Sequence, residues 1–190
     1  MKQLLWPVVV VLAVVMGCGE DDPLGDAWKK FRDEDYAGAH GAFSGLVGSE
    51  GARALEGLGW TTIMMDSMTA ARGYFQRAAN DSSVATYAGW SLVSWVLGDY
   101  QTSVEKGEFV WRLEGTRFVF SEMPSVNYKD VLWHQAASYY HLGAIELCIT
   151  KIKQIEPAWE DPELTDPDVY EPIILAKLEA LYASLAPTGV

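Results

Sequence analysis

The sequence predicts an all-α protein in which helical hairpins follow one another and stack into an α-solenoid. Three observations predict it: apolar residues recur at helical spacing, small residues recur at a fixed step, and turn-forming clusters at 48–51 and 80–83 separate the helical stretches. The four hairpins are predicted at residues 24–47, 52–79, 84–113 and 129–156, before an acidic, proline-rich linker at 157–167 and a last amphipathic helix at about 168–185.

Small residues define the repeat. Ala39, Ala71 and Ser103 follow one another at a step of 32 residues, and Cys148 comes 45 residues after Ser103. Small side chains at a constant step fit the places where the two helices of a hairpin cross closely, and one hairpin alone cannot bury its apolar stripe. The longer step between Ser103 and Cys148 predicts an insertion at residues 114–128.

The clearest copy of the repeat lies in residues 52–80, where Gly59, Ala71 and Phe75 keep the spacing of a helix-turn-helix unit. On these residues the chain resembles tetratricopeptide repeat (TPR) proteins, over about residues 24–156. The resemblance implies a TPR-like solenoid of about four hairpins with a C-terminal capping helix and tail at 168–190. It also implies a binding scaffold and not an enzyme. The alternative is a helical bundle without a repeat register.

The N-terminus predicts export. Lys2 precedes an apolar run that is too short to span a bilayer, which is typical of a secretory signal peptide, here residues 1–17. The sequence Val-Met-Gly-Cys that ends at Cys18 resembles a bacterial lipobox. The resemblance implies a lipidated cysteine, a short tether at 18–23 and membrane association through the lipid. An ordinary secretory signal with Cys18 as a bystander is the alternative.

Charge and cysteine content limit the partners. The formal net charge of −12 argues against nucleic acid and against electrostatic attraction to anionic lipid head groups. If Cys18 carries lipid, Cys148 has no partner for an intramolecular disulfide, and its place among the small residues predicts a buried structural thiol.

The TPR register implies that the first helix of each hairpin lines a concave groove. Eight tryptophans occur in the chain, and several of them fall on these helices. Tryptophan and tyrosine are enriched at binding hot spots, so the groove is expected to be aromatic and to hold a protein or peptide partner. The alternative is that these aromatic residues belong to the core. The residues expected in the groove are Trp28, Phe31, Trp60, Ile63, Leu92, Trp95, Trp133, His134 and Tyr140.

The insertion contains Phe118 and Phe120 in an aromatic, β-branched run that is unlike a helix. We expect these side chains to pack against the third or fourth hairpin, close to Trp95 or Trp133, because large apolar side chains are costly to expose. The alternative is a mobile lid that closes over a partner.

Catalytic patterns are weak. Asp130, His134 and His141 share one helical face, but seven residues separate the two imidazoles, about 10.5 Å of helix rise, which is too far for one zinc ion. We therefore expect no enzymatic activity, no cofactor and no metal. The expected function is a lipid-anchored protein-interaction scaffold of the bacterial cell envelope. The alternative function is a lipoprotein of an uptake system that binds a glycan or a small apolar molecule.

The expected location depends on the cell. Gly19 follows Cys18, where some inner-membrane lipoproteins of enteric bacteria have aspartate. If the cell has two membranes, we expect the outer membrane, with the protein facing the periplasm. The sequence leaves the partner and the oligomeric state open.

Overall fold

In this computed structural model of the protein, residues 22–81 and 83–185 are described. The predicted signal peptide and Cys18 lie outside the described residues. Within them the chain forms nine α-helices, with short 3₁₀ turns after the fourth and the sixth. The helices are α1 (Pro23–Arg32), α2 (Tyr36–Glu50), α3 (Ala52–Met64), α4 (Met68–Ala78), α5 (Val84–Val96), α6 (Tyr100–Glu114), α7 (Tyr128–His141), α8 (Ile145–Ile155) and α9 (Pro167–Leu185).

The helices pack in consecutive pairs. α1 packs on α2, α3 on α4, α5 on α6 and α7 on α8, and each pair also packs on the next along the chain. The first helices of successive pairs touch each other in turn, and α9 continues this row by packing on α7. The predicted all-α solenoid of four hairpins and a C-terminal helix is confirmed for the described part of the chain.

The turn inside each hairpin repeats in register. Glu34, Asp66 and Gly98 lie 32 residues apart, and their φ angles of 62°, 57° and 75° are all in the left-handed region. Gly143, which is 45 residues after Gly98, has a φ of 71°. Non-glycine residues seldom adopt this conformation. Its recurrence at Glu34 and Asp66 therefore shows that the turn geometry belongs to the repeat and does not depend on the residue type.

Side-chain caps fix where two of the second helices, α2 and α6, begin. Asp35 accepts a hydrogen bond from the Gly38 amide at the start of α2, and Asp99 accepts one from the Thr102 amide at the start of α6. A carboxylate at this position satisfies an amide that has no partner inside the helix. The two aspartates follow the left-handed turn residues directly, so the turn and the cap form one unit.

The first two junctions between successive hairpins each pair a phenylalanine ring with a glycine. A Cβ atom built on Gly57 of α3 would lie 2.4 Å from the Phe43 ring of α2, and one on Gly89 of α5 would lie 2.4 Å from the Phe75 ring of α4. Both the phenylalanines and the glycines are 32 residues apart. Phe75 also presses against Gly59 in its own hairpin. The glycines are thus required by the space that the rings fill.

The third junction reverses the sizes. Gly107 of α6 now supplies the small residue, and a Cβ atom there would lie 2.7 Å from Cγ of the fully buried Gln135 of α7. A large residue still contacts a small one, but here the small residue lies on the second helix of the preceding hairpin and the large residue on the first helix of the next. The four small residues that define the repeat in the sequence, Ala39, Ala71, Ser103 and Cys148, are all fully buried.

The insertion between α6 and α7 is not helical beyond its first turn. After the 3₁₀ turn it forms a narrow loop, in which the Phe120 amide donates to the Val126 carbonyl at 2.9 Å and the Tyr128 amide donates to the Phe118 carbonyl at 3.0 Å. A single antiparallel bridge joins Val119 to Asn127. The loop therefore has the form of a short hairpin whose two arms are hydrogen-bonded to each other.

Among the described residues, no helix has the length and apolar character needed to cross a membrane.

Candidate binding cleft

The aromatic residues expected in one groove fall into two separate groups. Trp28, Phe31 and Trp60 are buried in the first of two hydrophobic clusters, which spans the first three hairpins and the insertion. Trp133 is buried in the second cluster, which joins α7, α8 and α9, and Trp95 packs against it. The remaining expected residues, Ile63, Leu92, His134 and Tyr140, are half-buried or buried.

The insertion fills the end of the groove at the first two hairpins. Phe120 stacks on Trp60 with ring centroids 4.3 Å apart and meets Trp28 edge-on at 5.9 Å. Phe118 is buried in the same cluster. The salt bridge between Arg32 and Glu122 joins the tip of the loop to α1. Residues that would contact a partner in an open groove therefore contact the chain itself.

The expected position of the insertion was correct only in part. The turn that begins the insertion contacts α7 of the fourth hairpin, and the Phe118 and Phe120 side chains are buried. These two rings belong, however, to the cluster of Trp28 and Trp60 and not to that of Trp133. The physical reason is that Trp28 and Trp60 together offer Phe120 two aromatic partners, which favour stacked and edge-on contacts. Sequence spacing gives the length of extra chain but not its direction.

Polar cavities remain beside the insertion. One has a volume of about 480 Å³ and a second about 340 Å³, and both are lined by Trp28, Glu56, Ser83 and Glu122. Glu56 accepts hydrogen bonds from the hydroxyls of Ser83 and Thr86, which hold its carboxylate at the edge of the space. These cavities are mixed in character, because carboxylate, guanidinium and apolar side chains all line them.

An apolar cleft stays open at the other end of the solenoid, between α5, α7 and α9. Its volume is about 380 Å³, and Trp95, Trp133, Leu175 and Tyr182 line it. The Trp95 ring meets the Trp133 ring edge-on with centroids 4.7 Å apart, and the Tyr182 ring centroid lies 5.0 Å from that of Trp133. Tyr182 and Leu175 are exposed, so large apolar side chains of this cleft face solvent.

One hydrogen bond docks α9 and shapes the cleft. The indole N–H of Trp133 donates to the backbone carbonyl of Leu178 at 2.9 Å. Lys177 pairs with Glu156 at 2.6 Å and attaches the far side of the helix to the end of α8. These two contacts attach α9 near its middle, at Lys177 and Leu178, and one side of the cleft lies on its surface. A carboxylate, Glu179, also lines the cleft.

Histidine 134 is a core residue. Its ring stacks on Trp95 with centroids 5.6 Å apart, and burial lowers its pKa to about 4, so the imidazole is neutral. Its Nδ1 is buried and makes no hydrogen bond to the described residues. His141 stacks instead on Tyr100 at 4.3 Å. Asp130 caps α7 through the Asn127 amide, and burial raises the pKa of this carboxyl.

These placements give Asp130, His134 and His141 separate structural roles. In residues 22–81 and 83–185, no group of three or more histidine, cysteine or acidic side chains could hold a metal ion. Burial raises the pKa of the Cys148 thiol to about 12, which makes it a weak nucleophile.

Of the residues that line the cleft, only Trp95 and Trp133 were expected in the groove, and the exposed Leu175 and Tyr182 are among those that were not. Leu175 and Tyr182 belong to α9, which follows the last hairpin, and the repeat register assigns groove positions only to the first helix of each hairpin. The sequence did contain an indication of them: the apolar face predicted for α9 is wider than packing against one neighbouring helix requires.

The chain has no match among models of known protein families and none among curated proteins.

Proposed function

We propose that the protein is a lipid-anchored, TPR-like scaffold that holds a protein partner in the bacterial cell envelope. The observation that carries the proposal is the open aromatic cleft formed by Trp95, Trp133, Leu175 and Tyr182. An exposed apolar surface of this kind, built on a helical repeat, is typical of a protein-binding site. The proposed role is binding and not catalysis.

The chemistry of the cleft supports a protein partner. Tyr182 and the two indoles offer large, rigid, partly polar surfaces, which carry much of the binding energy in protein interfaces. Because the insertion fills the groove at Trp28 and Trp60, the partner is directed to the far end of the solenoid.

The tether supports the proposed location. Cys18 precedes the first residue of α1, Pro23, by five positions, so a lipid on Cys18 would hold the first hairpin within roughly 20 Å of the membrane surface. The net charge of −12 works against contact with anionic head groups. The cleft, at the opposite end of the row of hairpins, would then face away from the membrane. In a cell with two membranes, the proposed location is the periplasmic side of the outer membrane, because Gly19 follows the lipidated cysteine.

The experiment compares two exposed leucines. Leu175 in the cleft is 43% exposed, and Leu147 on the outside of α8 is 48% exposed. Cells express the full chain as wild type, Leu175→Lys or Leu147→Lys, and mild-detergent extracts are resolved on native gels. We expect an assembly larger than the monomer in the wild type and in Leu147→Lys, and its loss in Leu175→Lys. A monomer in all three would refute the scaffold function.

A ligand-binding lipoprotein is the second candidate. The observation that favours it is the polar cavity of about 480 Å³ beside the insertion, which is within the range of small-molecule sites. Native mass spectrometry of the full chain purified from its own cells separates the two functions. A bound small molecule that is lost in Glu56→Ala would favour the uptake function, and a bound protein that is lost in Leu175→Lys would favour the scaffold.

A further inference from the structure

The open cleft has three aromatic rings and a carboxylate on its walls. Trp95 and Trp133 line it from α5 and α7, and Tyr182 and Glu179 line it from α9. Tyr182 is 56% exposed, and Glu179 is exposed as well. The cleft therefore combines a broad apolar surface with an anionic group that a partner can reach from solvent.

Helical geometry gives the α9 wall of the cleft a single sign of charge. At about 100° per residue, five residues of α9 share a sector of about 80°: Asp168, Glu171, Leu175, Glu179 and Tyr182. Lys177, the only cation of α9, lies about 160° from the middle of this sector and pairs with Glu156 at 2.6 Å. Burial and then the charge of Glu171 raise the pKa of Tyr140, which places this carboxylate beside α7. The acidic side of α9 is therefore the side that borders the cleft.

The other walls of the cleft add no lysine or arginine. α5 contains no charged residue. On α7 the lining residues are Trp133, Ala137 and His141, and the ring of His141 stacks on Tyr100 with centroids 4.3 Å apart. Lys129 lies one turn before Trp133 and outside the lining. Among the described residues, the carboxylates on the α9 wall therefore face no lysine or arginine across the cleft.

Aromatic rings beside an unpaired carboxylate suit a guanidinium group. In residues 22–81 and 83–185, Glu179 forms no ion pair. A guanidinium group stacks its flat cation on aromatic rings and donates two parallel hydrogen bonds to one carboxylate. A lysine ammonium is more strongly hydrated, so it gains less in an apolar cleft. The cleft volume of about 380 Å³ is at the low end for ligand pockets and suits one or two side chains.

We infer that the cleft binds an arginine side chain of the partner protein, with a large apolar residue beside that arginine in the partner's chain. The guanidinium group pairs with Glu179 and stacks on Tyr182, and the apolar neighbour packs on Leu175. This inference rests on the proposed scaffold function and names the chemistry of its partner. A second copy of the chain is a poor occupant, because two chains of net charge −12 repel each other.

The test uses short labelled peptides that differ at one side chain. The first has an arginine at its centre between two leucines, glycine at the other positions and blocked termini. The second has citrulline in place of the arginine, which keeps the planar shape and removes the charge. Binding of each peptide to the full chain in mild detergent is measured by fluorescence anisotropy, with detergent alone as the blank.

A matched pair of variants locates the binding site. Glu179 in the cleft and Glu146 on α8 are both exposed, and each is replaced by Gln, so both variants lose one negative charge. We expect the wild type and Glu146→Gln to bind the arginine peptide about fivefold or more tightly than the citrulline peptide. In Glu179→Gln this preference should fall to about twofold or less. Equal binding of the two peptides to the wild type, or a preference that Glu179→Gln leaves intact, would overturn the inference. Failure of the arginine peptide to bind at about 1 mM would overturn it as well.

Native gels of cell extracts separate this inference from the scaffold function. An assembly that Leu175→Lys abolishes and Glu179→Gln leaves intact would overturn the inference alone and keep the scaffold function. Loss of that assembly in both variants, with Glu146→Gln unaffected, supports the inference. A dimer of the purified chain that Glu179→Gln dissociates would show that a second copy occupies the cleft, and the inferred partner would be wrong.

Discussion

Phe120 of the insertion lies flat on Trp60 of α3, with ring centroids 4.3 Å apart and ring planes inclined by 20°. Trp60 is one of the residues expected to line the groove at the first hairpins, so this contact covers it with a residue of the chain itself. The solenoid is consequently divided into a filled end at α1 and α3 and an open end at α5, α7 and α9.

The insertion is expected to be a structural element. Phe120→Ala should lower the free energy of unfolding by about 3–5 kcal/mol, because it removes a buried ring from between two indoles. Val119→Ala is the control. Val119 is 52% exposed, whereas Phe120 is 2% exposed, and its truncation should cost no more than about 0.5 kcal/mol. Urea unfolding measures both, and equal midpoints would contradict the packed position of the loop.

The ring-and-glycine junctions predict opposite effects for one substitution at two sites. Gly89→Ala places a methyl group where the Phe75 ring lies, and overpacking of this kind costs about 1–3 kcal/mol. Gly73→Ala in α4 enters open space and should stabilise its helix by up to about 1 kcal/mol. Thermal unfolding should therefore shift downward for Gly89→Ala and upward for Gly73→Ala. Shifts in the same direction would show that the hairpins do not meet at Gly89 as described.

The buried imidazole makes stability depend on pH. Burial lowers the pKa of His134 to about 4, whereas an unfolded histidine titrates near 6.5, so the unfolded chain binds more protons between these values. The contribution of neutral His134 to the free energy of unfolding is therefore present in full above about pH 6.5. It is lost as the pH decreases from there toward 4. Between pH 7 and 5.5 we expect this histidine to account for a loss of about 1 kcal/mol.

The matching experiment replaces the titrating group. His134→Leu cannot take up a proton, so its free energy of unfolding should decline less between pH 7 and 5.5 than that of the wild type, whatever its stability at pH 7. Chemical denaturation at pH 7 and at pH 5.5 gives this decline in the free energy of unfolding for both proteins. Equal declines would mean that His134 is not held neutral in the fold.

The lipid anchor predicts labelling at one cysteine. Cells fed labelled palmitate should incorporate it into the wild type and into Cys148→Ser, because the Cys148 thiol is buried and its pKa is raised to about 12. Cys18→Ser should lose the label, because the resemblance to a lipobox implies that lipid is attached to the sulfur of Cys18. Label that persists in Cys18→Ser would exclude lipidation at Cys18.

Much of the fold was predictable, because the repeat is enforced by local packing. Wherever two helices of a hairpin cross closely only a small side chain fits, and Ala39, Ala71 and Ser103 therefore show the 32-residue step in the sequence alone. The left-handed turns were harder to predict from the sequence, because Glu34 and Asp66 occupy two of them. Glycine at these positions would have indicated such a turn. The size reversal at Gly107 and Gln135 also breaks the pattern of residue types while keeping the packing.

The site was predictable only in part. Trp95 and Trp133 were among the expected groove residues, and both line the open cleft. Leu175 and Tyr182 were not, because the position of α9 depends on long-range contacts such as the hydrogen bond from Trp133 to the Leu178 carbonyl. The path of the insertion depends on contacts between residues about 60 to 90 positions apart in the chain, and sequence periodicity carries no information about these.

Position-resolved photocrosslinking in intact cells tests the binding cleft most directly. A photoreactive amino acid is placed in turn at Leu175 and Tyr182 in the cleft, at Val119 on the insertion and at Leu147 on α8, all of which are exposed. We expect a discrete protein adduct from Leu175 and Tyr182 and none from Val119 or Leu147. Adducts from Val119 with none from Leu175 or Tyr182 would contradict the assignment of the partner to the cleft.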